Sequence, residues 1–324
     1  MILNDSDKRL VDILQSAFPL TVQPYANIGS TLDISEKEVI ATINQLKQEG
    51  FIRHIGPIFN PSCLGYKTTL VAIRVNESIM EKATSIIIEH PGISHAYVRD
   101  HYYNLWITLA VAVDIEAGLA KLAEAVGAEQ YFSLPVVKPF KLRAIFNIGA
   151  DSYENNTSQH NQIESQQECR LSSEEKMMIN EIQQELPLVS HPFTKMSAKL
   201  GLYENEFLSR CISLLQRHIM RRFGATVNHR KVGFTTNAMA CWSVPGDKVN
   251  DLGKRLTQRR QVSHCYERKT NPLWPYNIFA MIHSHSKAEC RKAVENVSLE
   301  TGITDYIMLF STREIKKKRI KYPV

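Results

Sequence analysis

Two stretches 168 residues apart carry the same pattern. Arg53-His54-Ile55-Gly56 lines up with Arg221-Arg222-Phe223-Gly224. The same offset lays Pro19 on Pro187, Pro24 on Pro192, Leu32 on Leu200, Glu36 on Glu204, Leu46 on Leu214 and Gly65 on Gly233. Matches this numerous and collinear mark a tandem duplication, so whatever one half folds into, the other must repeat. A 324-residue chain is in any case too long for one ordinary domain. Between the copies lies a run rich in Asn, Gln, Ser and Glu, residues 151–170, which reads as a solvated linker.

Each half opens on helical periodicity. Leu10, Val11, Ile13 and Leu14 form an apolar stripe, with Ser6 or Asp7 as candidate cap. A second short helix is expected near Tyr25–Thr31. A third is expected over Glu36–Gln48, with Ser35 and Glu38 as a capping box and Gly50 just past its end. Phe51–Phe59 then reads as a β-wing. The second half repeats this over Ser173–Leu186, Phe193–Leu200, Glu204–His218 and Met220–Val227. After each wing comes the order βαββαβ, from Thr68 to Phe146 and from Ala238 to Glu314. The expected class is therefore α+β: a duplicated winged helix-turn-helix, each copy followed by a ferredoxin-like domain. The domains fall at residues 1–62, 63–150, 171–230 and 231–324, around the linker.

Composition narrows the setting. Hydrophobic residues make up 44% and charged residues 22%, as in soluble globular proteins. No basic region followed by an apolar stretch opens the chain, and no apolar run of membrane-spanning length appears. A cytoplasmic protein with no membrane partner is expected. Six scattered cysteines with no Cys-x-x-Cys spacing read as reduced thiols that pack in cores, and no zinc site is expected. The net charge of +6 suits an anionic partner, though much of the excess sits in the last residues, Lys316–Arg319 and Lys321.

The polar motif of each half lies in its second expected strand. His95, Tyr97 and Arg99 recur as His264, Tyr266 and Arg268, and each set is followed by Tyr-Asn, at Tyr103-Asn104 and Tyr276-Asn277. Alternate residues share one face of a strand, so each triplet offers an imidazole, a phenol and a fixed cation together. The second copy adds an insertion around Pro272–Pro275.

The arrangement of winged helix-turn-helix and ferredoxin-like domain resembles the Lrp/AsnC regulators, notably from Gly50-Phe51-Ile52-Arg53 to Leu64-Gly65. The segments Asn228–Phe234, His264–Arg268 with Trp274-Pro275-Tyr276-Asn277, and His95–Trp106 resemble more closely the siroheme decarboxylases, which are built on that scaffold from two related subunits, separate or fused. That resemblance implies loss of CO2 from two acetate side chains of siroheme, giving 12,18-didecarboxysiroheme, in the alternative heme route or in making nitrite-reductase heme. It also implies that siroheme is the substrate and that no external cofactor is required, because the macrocycle accepts the electrons. An acidic, flat ligand calls for guanidinium and ammonium clamps over an apolar floor. Candidates for the clamps are Arg99, Arg230, Arg268, Lys231 and Lys269, with Tyr97 and Tyr266 beside them. Trp106, Phe234, Trp242, Met239 and Phe279 are candidates for the floor. Protonating the product methylene needs an acid that works near neutral pH. His95, His101, His229 and His264 are the candidates, with His229-Arg230 the sharpest pair, because the first repeat has Pro61-Ser62 there. His95, His229 or His264 could instead ligate the siroheme iron. His54, His191, His218, His283 and His285 read as surface or wing residues.

The alternative is an Lrp/AsnC-type DNA-binding regulator that senses heme or an amino acid. Against it, the third helix of the first half carries Glu36, Glu38 and Glu49 against Lys37 and Lys47. Its counterpart balances Glu204 and Glu206 with Arg210 and Arg217. Neither helix has the basic face that phosphate contacts require, so DNA binding is not expected. The two halves are expected to pair as an internal pseudo-dimer, with further homo-oligomerisation left open.

Overall fold

A computed structural model describes residues 3–142, 169–228, 231 and 236–324. The first helix-turn-helix comprises α1 (Asp5–Ser16), α2 (Pro24–Leu32) and α3 (Glu36–Gln48). Asn4, not Ser6 or Asp7, caps α1; Asp7 instead sits at the third position and bonds back to the Asn4 amide, closing a capping box. The Ser35–Glu38 box on α3 forms as expected, and Gly50 takes φ 75° just beyond the helix. Strand β1 (Ile52–Phe59) follows. The second copy gives α6 (Ser173–Ile182), α7 (Thr194–Lys199), α8 (Glu204–Gln216) and β6 (Met220–Val227).

The wing strands find their partners in the opposite repeat. β1 runs antiparallel to β6, and Gly56 lies opposite Gly224. These two glycines are equivalent in the duplication, so a pseudo-twofold axis passes between them. A Cβ on Gly224 would come within 2.5 Å of the Leu14 carbonyl, which explains a residue without one at this crossing. The helix-turn-helix units share a single core. Phe223 packs on Phe18 and on Phe193, at ring separations of 5.2 and 6.0 Å, and the Tyr25 hydroxyl donates to the Pro187 carbonyl.

The first ferredoxin-like unit contains β2 (Lys67–Val75), α4 (Met80–Glu89), β3 (Ile93–Arg99), β4 (Leu105–Val111), α5 (Ile115–Ala125) and β5 (Ala128–Lys141). The second contains β7 (Thr236–Trp242), α9 (Val249–Gln258), β8 (Val262–Arg268), β9 (Ile278–Ser284), α10 (Lys287–Thr301) and β10 (Tyr306–Lys317). Their strands join into one closed barrel in the order β10-β3-β4-β2-β5-β8-β9-β7. Both seams are inter-repeat: β5 pairs with β8, and β10 with β3. Closure leaves neither sheet with an exposed edge.

Helices cover the outside of the barrel over two separate cores, one per repeat, while a third apolar cluster fills the interior. The interior cluster contains Trp106, Met239 and Phe279 from the expected floor, but Trp242 belongs to the outer core under the helices. Phe234 lies outside the described residues. The insertion of the second repeat supplies the centre of the plug. Trp274 is 2% exposed and meets the rings of Trp106 at 5.1 Å, Tyr276 at 5.2 Å and Phe132 at 5.9 Å. The repeated asparagines prove structural: Asn104 bonds both backbone groups of Val75, and Asn277 does the same to Val244.

One expectation needs correction. Cys63 and Cys169 are not free thiols; they form a disulfide across 106 residues, because the end of the inter-repeat segment lies against the turn that follows β1. Cys211, Cys241, Cys265 and Cys290 are free and buried. The C-terminal basic run is built into the barrel. It extends β10 along β3, and the backbone beyond it is clasped by α6 and its C-cap. Tyr322 exchanges bonds with the Gln183 amide and Val324 with that of Asn180. Residues 151–168 of the expected linker lie outside the described residues. No described helix is long and apolar enough to cross a membrane.

Candidate active site

A β-bulge opens each polar strand. In β3 the ladder slips between Ile93 and His95, and in β8 between Val262 and His264. The extra residue is a serine each time, and a bulge re-aims the side chains around it. Ser94 thereby meets its neighbour His95 (Oγ to Nδ1, 2.9 Å), and Ser263 meets His264 (3.0 Å). Among the described residues no protein group holds Nε2 of either imidazole. Beyond the bulge the strands alternate as expected. Ala96 and Cys265 face the outer cores, so His95, Tyr97 and Arg99, and their counterparts, face the barrel.

Arg99 lies over the Tyr97 ring at 5.4 Å; Arg268 lies over Tyr266 at 4.8 Å and Phe279 at 5.6 Å. Each guanidinium reaches into the other repeat: Arg99 Nη1 donates to the Leu309 carbonyl and Arg268 Nη1 to that of Leu134. Nε of each is buried with no hydrogen-bond partner among the described residues. Neither guanidinium meets a carboxylate there. Both stand in the field of the buried Cys241 thiol, so the two cations converge. Burial lowers each to about 10, which leaves both charged at neutral pH.

The two histidines share one electrostatic neighbourhood. Burial pushes His95 down to about 3, aided by Lys317, His264 and Arg53. Burial pushes His264 down to about 4, aided by Lys317, Lys141, Arg222 and Arg268. Both imidazoles keep some accessible surface, and both are neutral at pH 7. The positive field comes from the wing strands as well as the barrel. Arg53 on β1 bonds Glu314 and the Lys317 carbonyl, and Arg222 on β6 bonds the Gln15 carbonyl. Lys141 holds the end of α9 through the carbonyls of Thr257 and Arg259, as Lys316 holds the end of α4.

The structure therefore brings together His95, Tyr97, Arg99, His264, Tyr266 and Arg268. It does not bring His101 to them. His101 Nδ1 accepts the Tyr103 amide, and the ring packs on Tyr103 and Trp274 at the plug, so it is a turn residue. Lys231 and Lys269 are exposed. His229 and Arg230 lie outside the described residues. Sequence reasoning missed Ser94, Ser263, Lys141 and Lys317; the serine before each histidine was a repeated signal. His283, expected at the surface, is 7% exposed and bonds Ser263. Among the described residues no cluster of three or more His, Cys, Asp or Glu could hold a metal.

Two ferredoxin-like sheets joined into one barrel, each turning a His, a Tyr and an Arg inward, define a doubled ligand-binding protein of the AsnC type; the model of the AsnC-like ligand binding domain matches residues 63–141 and 231–316. That of the siroheme decarboxylase NirDL-like HTH domain matches residues 7–53 and 175–221. The chain belongs to the siroheme decarboxylase family. It is 35% identical to a siroheme decarboxylase of Hydrogenobacter thermophilus, over 98% of this chain and 95% of that one. It is 32% identical to a siroheme decarboxylase NirDL subunit of Paracoccus pantotrophus, over 98% and 97%. A separate beta subunit from Methanosarcina barkeri is 39% identical over 43% of this chain and 92% of its own, consistent with fusion of two subunits. The crystal structure of the siroheme decarboxylase NirDL in co-complex with an iron-uroporphyrin III analogue superposes with a TM-score of 0.73 at 32% identity, covering 98% of this chain and 95% of that one.

Proposed function

We propose that the protein is a siroheme decarboxylase that removes CO2 from two acetate side chains of one tetrapyrrole held between the repeats. The observation that carries this reading is the pair Arg99 and Arg268. A buried guanidinium without a counter-ion is costly, and the cost is recovered when an anionic ligand arrives. Two such groups, related by the pseudo-twofold axis and backed by Lys317, Lys141, Arg53 and Arg222, suit a flat ligand rimmed with carboxylates. The full-length relatives and the complex with an iron-uroporphyrin analogue support the same ligand class.

The chemistry follows from the site. The C–C bond to a carboxylate breaks, CO2 leaves, and the electron pair enters the macrocycle. A proton then adds to the methylene carbon to make a methyl group. The macrocycle is its own electron sink, so this reading calls for no external cofactor. Arg99 and Arg268 hold carboxylates that do not react, with Tyr97 and Tyr266 beneath them. His95 and His264 face the ligand through Nε2, as proton donor or as ligand to the siroheme iron. Burial, aided by the surrounding cations, depresses their pKa; a bound polyanion opposes the cationic part, which raises their proton affinity when it is needed. His229 and Arg230 remain candidates on sequence grounds.

The regulator alternative is disfavoured by the helix-turn-helix packing. Glu36 at the start of α3 is bonded by Ser190, and Lys47 near its end by Glu185, both from the other repeat. A helix tied down at both ends is poorly placed to enter a major groove. The deciding experiment is anaerobic incubation of the full chain with siroheme, read by chromatography and mass spectrometry. Stepwise loss of two CO2 is expected; bound siroheme of unchanged mass would contradict the enzyme reading.

A further inference from the structure

The two seams of the barrel share one backbone plan but not one set of side chains. On β10 the register against β3 slips between Glu314 and Lys316; Ile315 packs into the outer core, and Lys316 holds the end of α4. On β5 the register against β8 slips between Pro139 and Lys141; Phe140 packs into the other outer core, and Lys141 holds the end of α9. Further up, Leu309 and Leu134 take matching places as acceptors of Arg99 and Arg268. These anchors fix the equivalence of β10 and β5. By it Glu314, opposite Tyr97, answers to Pro139, opposite Tyr266. Lys317, opposite His95, answers to Leu142. One seam thus carries a carboxylate and an ammonium where the other carries a proline and a leucine.

The charged seam is held from the wing. Arg53 donates through Nη2 to Glu314 at 2.7 Å and through Nη1 to the Lys317 carbonyl at 3.2 Å, while the Lys318 amide donates to the Ser94 carbonyl at 2.8 Å. Arg221, the equivalent of Arg53, turns to Asn60 instead. Glu314 is matched by Arg53, and the Lys317 ammonium stands in the field of both His95 and His264. The His, Tyr and Arg that face the ligand are doubled, and a half-turn of the macrocycle exchanges its positions 12 and 18. The doubled residues therefore cannot rank the two acetates; an ammonium in one half and a leucine in the other can. A carboxylate beside an ammonium is stabilised before reaction. Its charge moves into the macrocycle as CO2 leaves, so that contact weakens toward the transition state and slows the step. A carboxylate beside a leucine lacks that restraint. The floor is unequal too. Thr108 and Trp106, opposite His95 and Tyr97, answer to Met281 and Phe279, opposite His264 and Tyr266, so the macrocycle has one preferred way to lie.

We propose that Lys317 is a specificity-determining residue that makes the two halves of the site unequal and sets the order of the two decarboxylations. The acetate beside Leu142 and His264 is lost first, and the acetate beside Lys317 and His95 second; this rests on the siroheme reading above. Each step balances alone. The bond from the methylene to the carboxylate carbon breaks, CO2 leaves, and the electron pair returns from the macrocycle to the methylene carbon. One proton adds there to make the methyl group. It is drawn from water through the histidine of that half, and both histidines keep accessible surface. Arg53 and Glu314 are positioning residues, because they fix the strand that carries Lys317.

The test follows siroheme through a single anaerobic turnover of the full chain. Products are separated by chromatography and mass, and the singly decarboxylated intermediate is assigned as the 12- or 18-isomer by NMR after removal of the iron. The wild type is expected to pass through one isomer, with the first step faster than the second by about tenfold or more, the factor a hydrogen bond to a charged group supplies. Lys317→Leu makes the seams alike, so both isomers are expected and the two rates draw together. Lys317→Arg keeps the cation and is expected to keep the single isomer. The exchange variant Lys317→Leu/Leu142→Lys is expected to pass through the opposite isomer, which a residue that merely supports the fold could not bring about. Leu142→Lys alone leaves Lys317 in place and is expected to slow the first step until the two rates meet. Both isomers from the wild type, or the same single isomer from Lys317→Leu or from the exchange variant, would overturn the inference. Failure of the wild type to release CO2 would instead overturn the siroheme reading, so the two failures are distinguishable.

Discussion

Arg99, in the first repeat, donates through Nη1 to the carbonyl of Leu309, in the second, at 2.8 Å, and Arg268 returns the same bond to Leu134 at 2.7 Å. The cations that face the proposed ligand also stitch the two seams of the barrel. Their charge, however, has no carboxylate partner among the described residues. Removing it should separate stability from function. Arg99→Met keeps much of the volume and loses the buried charge, and replacing buried ionic groups by apolar ones of similar size is often neutral or stabilising. Urea unfolding of Arg99→Met and Arg268→Met is expected to show stability no more than about 1.5 kcal/mol below wild type, or above it, because the lost charged hydrogen bond, worth roughly 1.5–3 kcal/mol, is offset by relief of the buried charge. Siroheme turnover should fall at least about tenfold in each. A loss of several kcal/mol would mean that the guanidiniums are there for the fold.

The depressed histidines make stability depend on pH. Unfolding returns His95 and His264 to the ordinary histidine range, so below pH 6.5 the unfolded chain binds protons that the folded chain refuses until pH falls to about 3 for His95 and about 4 for His264. Their contribution is present in full above pH 6.5 and is lost as pH falls. Each ring should steepen the acid loss by up to about 1.4 kcal/mol per pH unit between 6.5 and 4. The double variant His95→Gln/His264→Gln should flatten that limb in urea titrations at stepped pH; an unchanged slope would refute burial of the two rings in their neutral form.

Trp274 sits in an insertion that sequence alone would place in a loop, yet it is buried against Trp106 and Phe132 at the heart of the barrel. Trp274→Ala should cost about 3–5 kcal/mol in chemical denaturation, the usual range for emptying a core aromatic site. A cost below about 1 kcal/mol would show that the plug is not what fills the barrel.

Local chemistry was legible in the sequence; long-range pairing was not. The Ser35–Glu38 box, Gly50, the alternation of His, Tyr and Arg and the duplication itself each rest on short-range rules, and all appear as read. The cap of α1 was misplaced because Asp7 suits either end of a capping box. That β1 would pair with β6, that Cys63 would meet Cys169, and that Lys317 would stand between two histidines depend on how the repeats close on one another, which no local pattern encodes. The bulge serines fall between these cases. Their repetition was visible, but a bulge becomes visible only against a partner strand. His283 was passed over because its counterpart is Ala110, and an argument from repetition cannot find a residue that only one copy carries.

The most direct measurement is an anaerobic spectral titration of siroheme into the wild type and into Arg99→Gln/Arg268→Gln. The account predicts one siroheme per chain for the wild type. For the double variant it predicts affinity at least about 100-fold weaker, since a hydrogen bond to a charged group contributes roughly 1.5–3 kcal/mol and two are removed. Two sites per chain, or wild-type affinity in the double variant, would contradict a single ligand held between the repeats by these two cations.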